Sequence, residues 1–274
     1  MSIIQLYNSV KKSSAHRLIF ALARGVEVFL FGGRLRESVG HKLLALHYKS
    51  LYRRQWLWRH EPPHFFSHRV GLFSIFFTKT PAGVESLYRS FYSALIVRKG
   101  DVLLDIGCGD GFFAKYFCSV KCRHIDAIDV EPTAIHAAEA LCSADNITYH
   151  LRDAVAQPFP LSRYDVIVWD GAIGHFPPET TEIMLKKISK SLQSNGIFTG
   201  SESLGSKEGE DHLQFFESIK DLEKILKKHF KYVSLHNAKY MVGRKREFER
   251  NEAYWRCSNS LERLEADSWT KNYR

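Results

Sequence analysis

Residues 103–112, Leu103-Leu104-Asp105-Ile106-Gly107-Cys108-Gly109-Asp110-Gly111-Phe112, decide the fold of this chain. With Val102 they open as an apolar run suited to a strand buried on both faces. They break at three alternate glycines and resume as the helical pattern Phe112-Phe113-Ala114-Lys115-Tyr116-Phe117. Glycine at alternate positions lets the backbone turn sharply and lets a ligand lie against it. Strand, glycine turn and helix start together make a nucleotide-type site. Neither phosphate-binding pattern fits: no Lys-Ser/Thr follows the glycines, and the third glycine comes two positions after the second instead of three. Asp105 and Asp110 beside the glycines would repel a pyrophosphate and suit a cationic ligand.

Segments further along extend this pattern. Residues 125–130 form a second strand ending in Asp129, 22 positions after Gly107, where a carboxylate can accept both hydroxyls of a ribose. Residues 147–153 read as a third strand with Asp153 at its tip, although Asp there equally suits a helix cap. Residues 164–170, Tyr-Asp-Val-Ile-Val-Trp-Asp, are a fourth strand, followed by the loop Gly171-Ala172-Ile173-Gly174-His175-Phe176. Leu192-Gln193-Ser194-Asn195-Gly196-Ile197-Phe198 supplies a turn pair, Asn195-Gly196, ahead of a fifth.

Taken in order, these segments resemble the motifs of the class I S-adenosylmethionine-dependent methyltransferases. The Leu192 turn departs from that family's usual L-x-P-G-G by carrying Ser and Asn. The resemblance implies S-adenosylmethionine as cofactor, a ligand whose ammonium and sulfonium suit acidic neighbours. It assigns Asp105, Gly107, Cys108, Gly109, Gly111, Asp129, Val130, Asp153, Ala154 and Asp170 to that cofactor. Asp153 would hold the adenine amino group, the Ala154 amide would face the ring, and the loop after Asp170 would lie where donor meets acceptor.

The implied fold class is α/β: a seven-stranded, mostly parallel, doubly wound sheet with an antiparallel last strand, plus an N-terminal helical extension or lid. The expected boundaries are 1–83 for the extension, 84–260 for the cofactor-binding domain and 261–274 for a C-terminal tail. Helices are expected at 84–98, 111–120, 132–142 and 179–193, with another capped or opened by Asp221. Strand six is expected at 232–236 and the antiparallel last strand at 252–258.

Charge is unevenly spread. Residues 1–100 carry 16 Lys and Arg against 4 Asp and Glu, whereas residues 101–200 carry 8 against 13. The acidic middle suits a cationic cofactor. The basic first third, with Arg53, Arg54, Arg59, Trp56 and Trp58, suits a helical cap, an anionic membrane surface or a polyanionic substrate. Within it His64, His68 and Arg69 stand among aromatics, and the resemblance makes them contacts for the acceptor. Five cysteines form no disulfide framework and read as reduced thiols, and Cys118 and Cys122 lack the second ligand pair a zinc site needs; no metal is expected. No run of 18 apolar residues is present and no signal peptide is evident, so the expected location is cytoplasmic, with membrane-peripheral contact an open alternative.

Methyl transfer needs donor and acceptor in line and, for a hydroxyl acceptor, removal of a proton. His175 first and His212 second are the candidates for that proton, with Asp170 beside them. Asp170-Gly171-Ala172-Ile173 is not the Asn/Asp-Pro-Pro-Tyr/Phe of enzymes that methylate exocyclic base amines, and no cysteine stands there for cytosine C5 chemistry. Asp170 alone is too few acids for the metal-dependent catechol type. The expected activity is methyl transfer to a hydroxyl of a glycan, lipid-linked or other small-molecule acceptor, with a loose likeness to enzymes of bacterial polysaccharide or secondary-metabolite pathways. The alternatives are an RNA methyltransferase gripping phosphates through the basic third, and a cofactor-binding membrane-peripheral protein without turnover. A nucleic-acid partner is the less expected, and the oligomeric state is left open.

Overall fold

The computed structural model describes residues 84–205, 212–242 and 248–265, together with Leu22. The expected lid residues His64, His68 and Arg69 and tail residues 266–274 lie outside the described residues. Except for Leu22, the described residues belong to one compact unit, 64–72 with 80–274.

Helix α1 (Val84–Leu95) leads into β1 (Val102–Ile106), every residue of which is buried. β2 (His124–Asp129), α2 (Pro132–Leu141), β3 (Ile147–Leu151), β4 (Tyr164–Asp170), α3 (Pro178–Ser191), β5 (Leu192–Ser203), α4 (Ile219–Leu226), β6 (Tyr232–Val242) and β7 (Phe248–Ser258) follow, and a short turn α5 (Glu262–Glu265) closes the described chain. The seven strands order as β3-β2-β1-β4-β5-β7-β6. β1 to β5 pair in parallel, and β7 runs antiparallel to both β5 and β6. The chain winds outward from β1 to β3 and then returns to place β4 on the other side of β1. That reversal opens a crevice at the carboxyl ends of β1 and β4, where such sheets bind ligands.

Two cores cover the two faces of the sheet. On one, Leu104, Ile106, Ile128, Trp169, Phe198 and Trp255 pack under α3 and α4. On the other, Leu103, Ile125, Ala127, Val166, Val168 and Ile197 pack with Ala94, Ala114 and Ile135 from the helical segments. Neighbouring residues of one strand belong to opposite cores, as the two-residue side-chain period requires, so these strands read as unbroken apolar runs.

Four details differ from the sequence expectation. Within 111–120 the backbone widens into a π-helical turn, Ala114–Cys118. Ser119 Oγ donates to the Lys115 carbonyl at 2.5 Å, the acceptor its own amide would take in an α-helix, and that amide bonds Ala114 O instead at 2.9 Å. Helix α4 begins at Ile219, with Ser218 as its N-cap, and Asp221 caps it rather than opens it: its Oδ2 accepts from both the Ser218 amide and hydroxyl at 2.9 Å. β5 already pairs at Leu192 with Tyr164, and the Asn195-Gly196 turn is a bulge inside the strand before Ile197 meets Val166. The β6–β7 hairpin continues six residues beyond His236 and begins four before Glu252.

All five cysteines are free and buried. Among the described residues no helix is long and apolar enough to cross a membrane.

Candidate functional site

The glycine turn joins β1 to the first helical segment. Gly107, Gly109 and Gly111 hold φ of 73°, 55° and 73°, which residues with a Cβ adopt at a cost. A Cβ on Gly107 would meet nothing within 4 Å, so that side of the turn opens to a ligand, whereas one on Gly111 would strike the Tyr149 phenol. The amides of Gly107 and Cys108 both donate to Ile128 O, at 2.9 and 3.1 Å, which anchors the turn to β2. Cys108 itself is buried.

Asp129, at the tip of β2, also braces this turn. Its Oδ2 accepts the Gly109 amide at 2.9 Å and its Oδ1 the Glu131 amide at 2.9 Å. Burial pushes Asp129 above the ordinary carboxylate range in spite of those amides. Its neighbour Val130 is 69% exposed. At the end of β3, Asp153 Oδ1 accepts the amides of Val155 and Ala156 at 2.8 and 3.2 Å, in the manner of a cap. Lys187 from α3 donates to the carbonyls of Ala154 and Gln157, which pins this loop from the other side.

Between β1 and β4 lie two carboxylates that burial makes hard to ionise. Asp105 is 5% exposed, and its Oδ2 is buried with no hydrogen-bond partner. Burial, then the nearby Asp170 and Asp129, push it up to about 8. Asp170 Oδ2 accepts the Ser93 hydroxyl at 2.9 Å, while its Oδ1 is buried and unpartnered. Burial carries Asp170 to about 6, against the opposing pull of Ser93 and Arg89. On β5, Ser201 is the cross-strand neighbour of Asp170, and its hydroxyl joins Ser93 in pulling that carboxyl down. Two buried carboxylates on adjoining strand ends, each with an oxygen short of donors, call for a ligand that brings donors and positive charge. S-Adenosylmethionine, with its ammonium and sulfonium, fits that set.

The loop after β4 faces the rest of the edge. Gly171, at φ 61°, leaves no room for a Cβ because the Arg89 guanidinium of α1 lies against it. Arg89 is ion-paired with the fully buried Glu252 of β7, which lies opposite Ser203 of β5 and also accepts from Arg250 Nε at 2.7 Å and Tyr254 Oη at 2.6 Å. Beyond it, Ile173–His175 form a 3₁₀ turn. The Gly174 amide donates to Glu202 Oε2 at 2.9 Å, and the Gly174 carbonyl accepts the amides of Leu213 and Gln214 at 2.9 and 3.0 Å. This brings His175 and His212 together, with ring centroids 4.6 Å apart and His212 Nε2 3.5 Å from Glu202 Oε1.

The comparisons with known proteins agree with this geometry. Residues 103–196 match the family model described as a methyltransferase domain. Over those residues the chain is similar to methyltransferase domains. An uncharacterized methyltransferase of Schizosaccharomyces pombe is 28% identical over 117 residues, 42% of this chain and 45% of the relative. One from Mycobacterium avium is 30% identical over 98 residues, 36% of this chain and 38% of the relative. The chain thus spans less than half the length of these two relatives. Among solved structures, the N-methyltransferase NodS from Bradyrhizobium japonicum in complex with S-adenosyl-L-homocysteine is similar with a TM-score of 0.51. At 18% identity, and covering 77% of this chain and 97% of that one, it shows the shared fold.

The structure brings Asp105, the glycine turn, Asp129 and Asp170 to the carboxyl ends of the adjoining strands β1, β2 and β4. It sets Asp153 and Ala154 at the neighbouring strand tip and gathers His175 and His212 at the edge of β4 and β5. Sequence analysis missed Arg89, Glu202 and Glu252. Glu202 and Glu252 add acids at the edge where Asp170 was expected to stand alone, but their oxygens are taken by amides and by Arg, Tyr and His side chains. Among the described residues no three His, Cys, Asp or Glu side chains are grouped to hold a metal.

Proposed function

We propose that this chain transfers a methyl group from S-adenosylmethionine to a hydroxyl of a glycan, lipid-linked or other small-molecule acceptor. The observation that carries the donor half is the pair of buried, half-satisfied carboxylates, Asp105 and Asp170, beside an open glycine turn. The acceptor half rests on the neighbouring His175 and His212 rings at the same strand edge.

When bound, S-adenosylmethionine supplies an electrophilic methyl group on a sulfonium. Asp105 and Asp170 offer negative charge to the cationic donor, and Gly107 gives it a surface free of side chain. Asp129 accepts the ribose hydroxyls with lone pairs that its backbone bonds leave over, since each carboxylate oxygen has two. The Asp153–Ala154 tip, held by Lys187, borders the adenine, and Val130 and Cys108 flank the same ligand. His175 or His212 removes the proton of the acceptor hydroxyl as its oxygen attacks. His64, His68 and Arg69 are proposed to contact the acceptor from the basic segment upstream.

Titration calorimetry with S-adenosylmethionine tests the donor half: micromolar binding is expected, and no heat at millimolar ligand would sink it. Incubation with labelled donor and fractionated glycans, lipids and RNA tests the acceptor. Label in a glycan or lipid fraction supports the proposal. Label confined to RNA would replace it with RNA methylation, whose binding falls steeply with salt.

A further inference from the structure

Away from the ligand edge, the segments that lead into β1 and β2 carry apolar side chains and cations that methyl transfer leaves unused. Three hydrogen bonds join these segments. Lys121 Nζ donates to Ala94 O at 3.0 Å, the Gly100 amide to Lys121 O at 2.8 Å, and the Arg123 amide to Asp101 O at 2.8 Å. Further back along α1, the Phe91 and Phe117 rings meet edge to face, 5.1 Å apart. On this joined surface Phe91, Leu95 and Tyr116 are each more than half exposed, and Val120 is 83% exposed. Leu95 and Val120 flank the Lys121–Ala94 bond, one position from either end. Apolar residues exposed singly are ordinary, but four on two joined segments, bordered by charges, mark an interaction surface.

The charge of this surface is of one sign. Residues 91–100 and 111–123 contain Arg98, Lys99, Lys115, Lys121 and Arg123 and no Asp or Glu. Three of these five stand within the otherwise acidic stretch 101–200. Arg98, Lys99 and Arg123 are exposed, while Lys115 and Lys121 rest on the neutral carbonyls of Ser143 and Ala94. Asp101, between the segments, is buried and paired with Arg263. Asp145 is an exposed acid at the border, next to Asn146, whose side chain donates to Ser119 O and Cys122 O at 2.8 Å.

We propose that this patch docks the protein on an anionic membrane surface. Phe91, Leu95, Tyr116 and Val120 enter the headgroup region, and the cations pair with lipid phosphates. Apolar burial and electrostatic attraction add in such binding, and each basic residue near an anionic surface strengthens it about fivefold. Helix α1, with 12 residues, is too short to cross a bilayer, so the contact is made at the surface. The aliphatic Leu95 and Val120 offer nothing to an RNA phosphate backbone. In a symmetric dimer through this patch the five cations would meet their own copies, which repel. The docking depends on neither the donor nor the acceptor assignment.

The test is sedimentation of the full chain with two kinds of vesicle: phosphatidylglycerol and phosphatidylcholine in equal parts, and phosphatidylcholine alone. Binding to the mixed vesicles is expected to be at least about tenfold stronger than to the neutral ones and to weaken as salt rises. Val120→Asp should weaken it about tenfold or more, and so should Lys99→Glu combined with Arg123→Glu. All three positions are exposed, so both variants should melt near the native temperature; if one does not fold, the other decides. No binding, equal binding to both vesicles, or binding that a folded variant leaves unchanged overturns the proposal. The last result would assign the attraction to the basic residues upstream. A native dimer that Val120→Asp dissolves would assign the patch to a second copy of the chain and overturn it as well.

Discussion

Asp129 and Gly109 are joined by a 2.9 Å hydrogen bond from the glycine amide to the carboxylate, so the end of β2 holds the shape of the turn that follows β1. One side chain then serves two purposes: it fixes the backbone against which a ligand would lie, and it presents acceptor lone pairs to that ligand. Asp129→Ala leaves the Gly109 amide without this partner, and about 1–3 kcal/mol of stability should be lost. Affinity for S-adenosylmethionine should fall roughly 10- to 100-fold, a loss of about 1.4 kcal/mol per decade. Urea unfolding and calorimetry on the same variant separate the two effects. Unchanged affinity would exclude Asp129 from the ligand site.

The buried acids make binding depend on pH. Asp105, near 8, and Asp170, near 6, must be ionised to hold a cation. Affinity for S-adenosylmethionine should therefore rise from pH 6 to pH 9. The ligand-free fold should show the opposite trend. A carboxyl whose folded-state value is raised from 3.8 stabilises the fold fully only below that value, and the contribution is lost as pH climbs through the raised one. Melting curves with and without ligand between pH 5 and 9 should thus diverge as pH increases. Asp105→Asn should raise the ligand-free melting temperature at pH 8 while weakening binding.

Gly107 and Gly111 share a φ of 73° but face different neighbours. Gly107→Ala incurs only the conformational cost, about 1–2 kcal/mol, because its Cβ would enter open space. Gly111→Ala adds a collision with Tyr149 and should melt several degrees lower than Gly107→Ala. Binding of S-adenosylmethionine should nevertheless be lost in the more stable variant, Gly107→Ala, since the added methyl group occupies the ligand's side of the turn. Retained affinity in Gly107→Ala would move the ligand elsewhere.

Arg89 balances a charge that has no access to water. Arg89→Met would leave Glu252 with Arg250 as its remaining cationic partner, and roughly 3 kcal/mol of stability should disappear. Arg89→Met combined with Glu252→Met should recover much of it, because a well-packed apolar pair of similar size replaces a buried ion pair at little cost. Chemical denaturation of the two variants decides the matter; equal losses would show that Arg250 and Tyr254, not Arg89, hold Glu252.

Strands that lie in the middle of the sheet were legible in the sequence because burial on both faces writes itself as an apolar run. β4 was found at the expected residues 164–170, and β1 begins where the run Val102-Leu103-Leu104 does. The far ends of β6 and β7 were not, since Lys239, Glu249 and Arg250 alternate polar groups along a hairpin at the border of the sheet. The widened turn at Ala114–Cys118 depends on where one serine hydroxyl points, which periodicity does not encode. On the site side, Asp105, the glycines, Asp129 and Asp170 were legible because their spacing is local. Arg89 and Glu252 are 163 positions apart, and each alone looks like a solvated charge. Glu202 lies among polar residues in the sequence, and only its pairing opposite Ala253 puts it in the sheet. The two histidines were expected near one another from their place after β4 and β5, but the Glu202 carboxylate beside His212 was not.

β7 runs against its neighbours, so it delivers Glu252 to the ligand edge from its first half, where β1, β4 and β5 deliver their residues from their ends. A slip of one residue in the hairpin register would turn Glu252 to the opposite face and release Arg89 from Gly171. The tuning of the acceptor edge thus depends on how β6 and β7 zip together, at the far border of the sheet from Asp129 and Asp153. Changes in hairpin length could re-aim Arg89 while the donor crevice stays as it is, which gives evolution a means of changing the acceptor without disturbing the methyl donor.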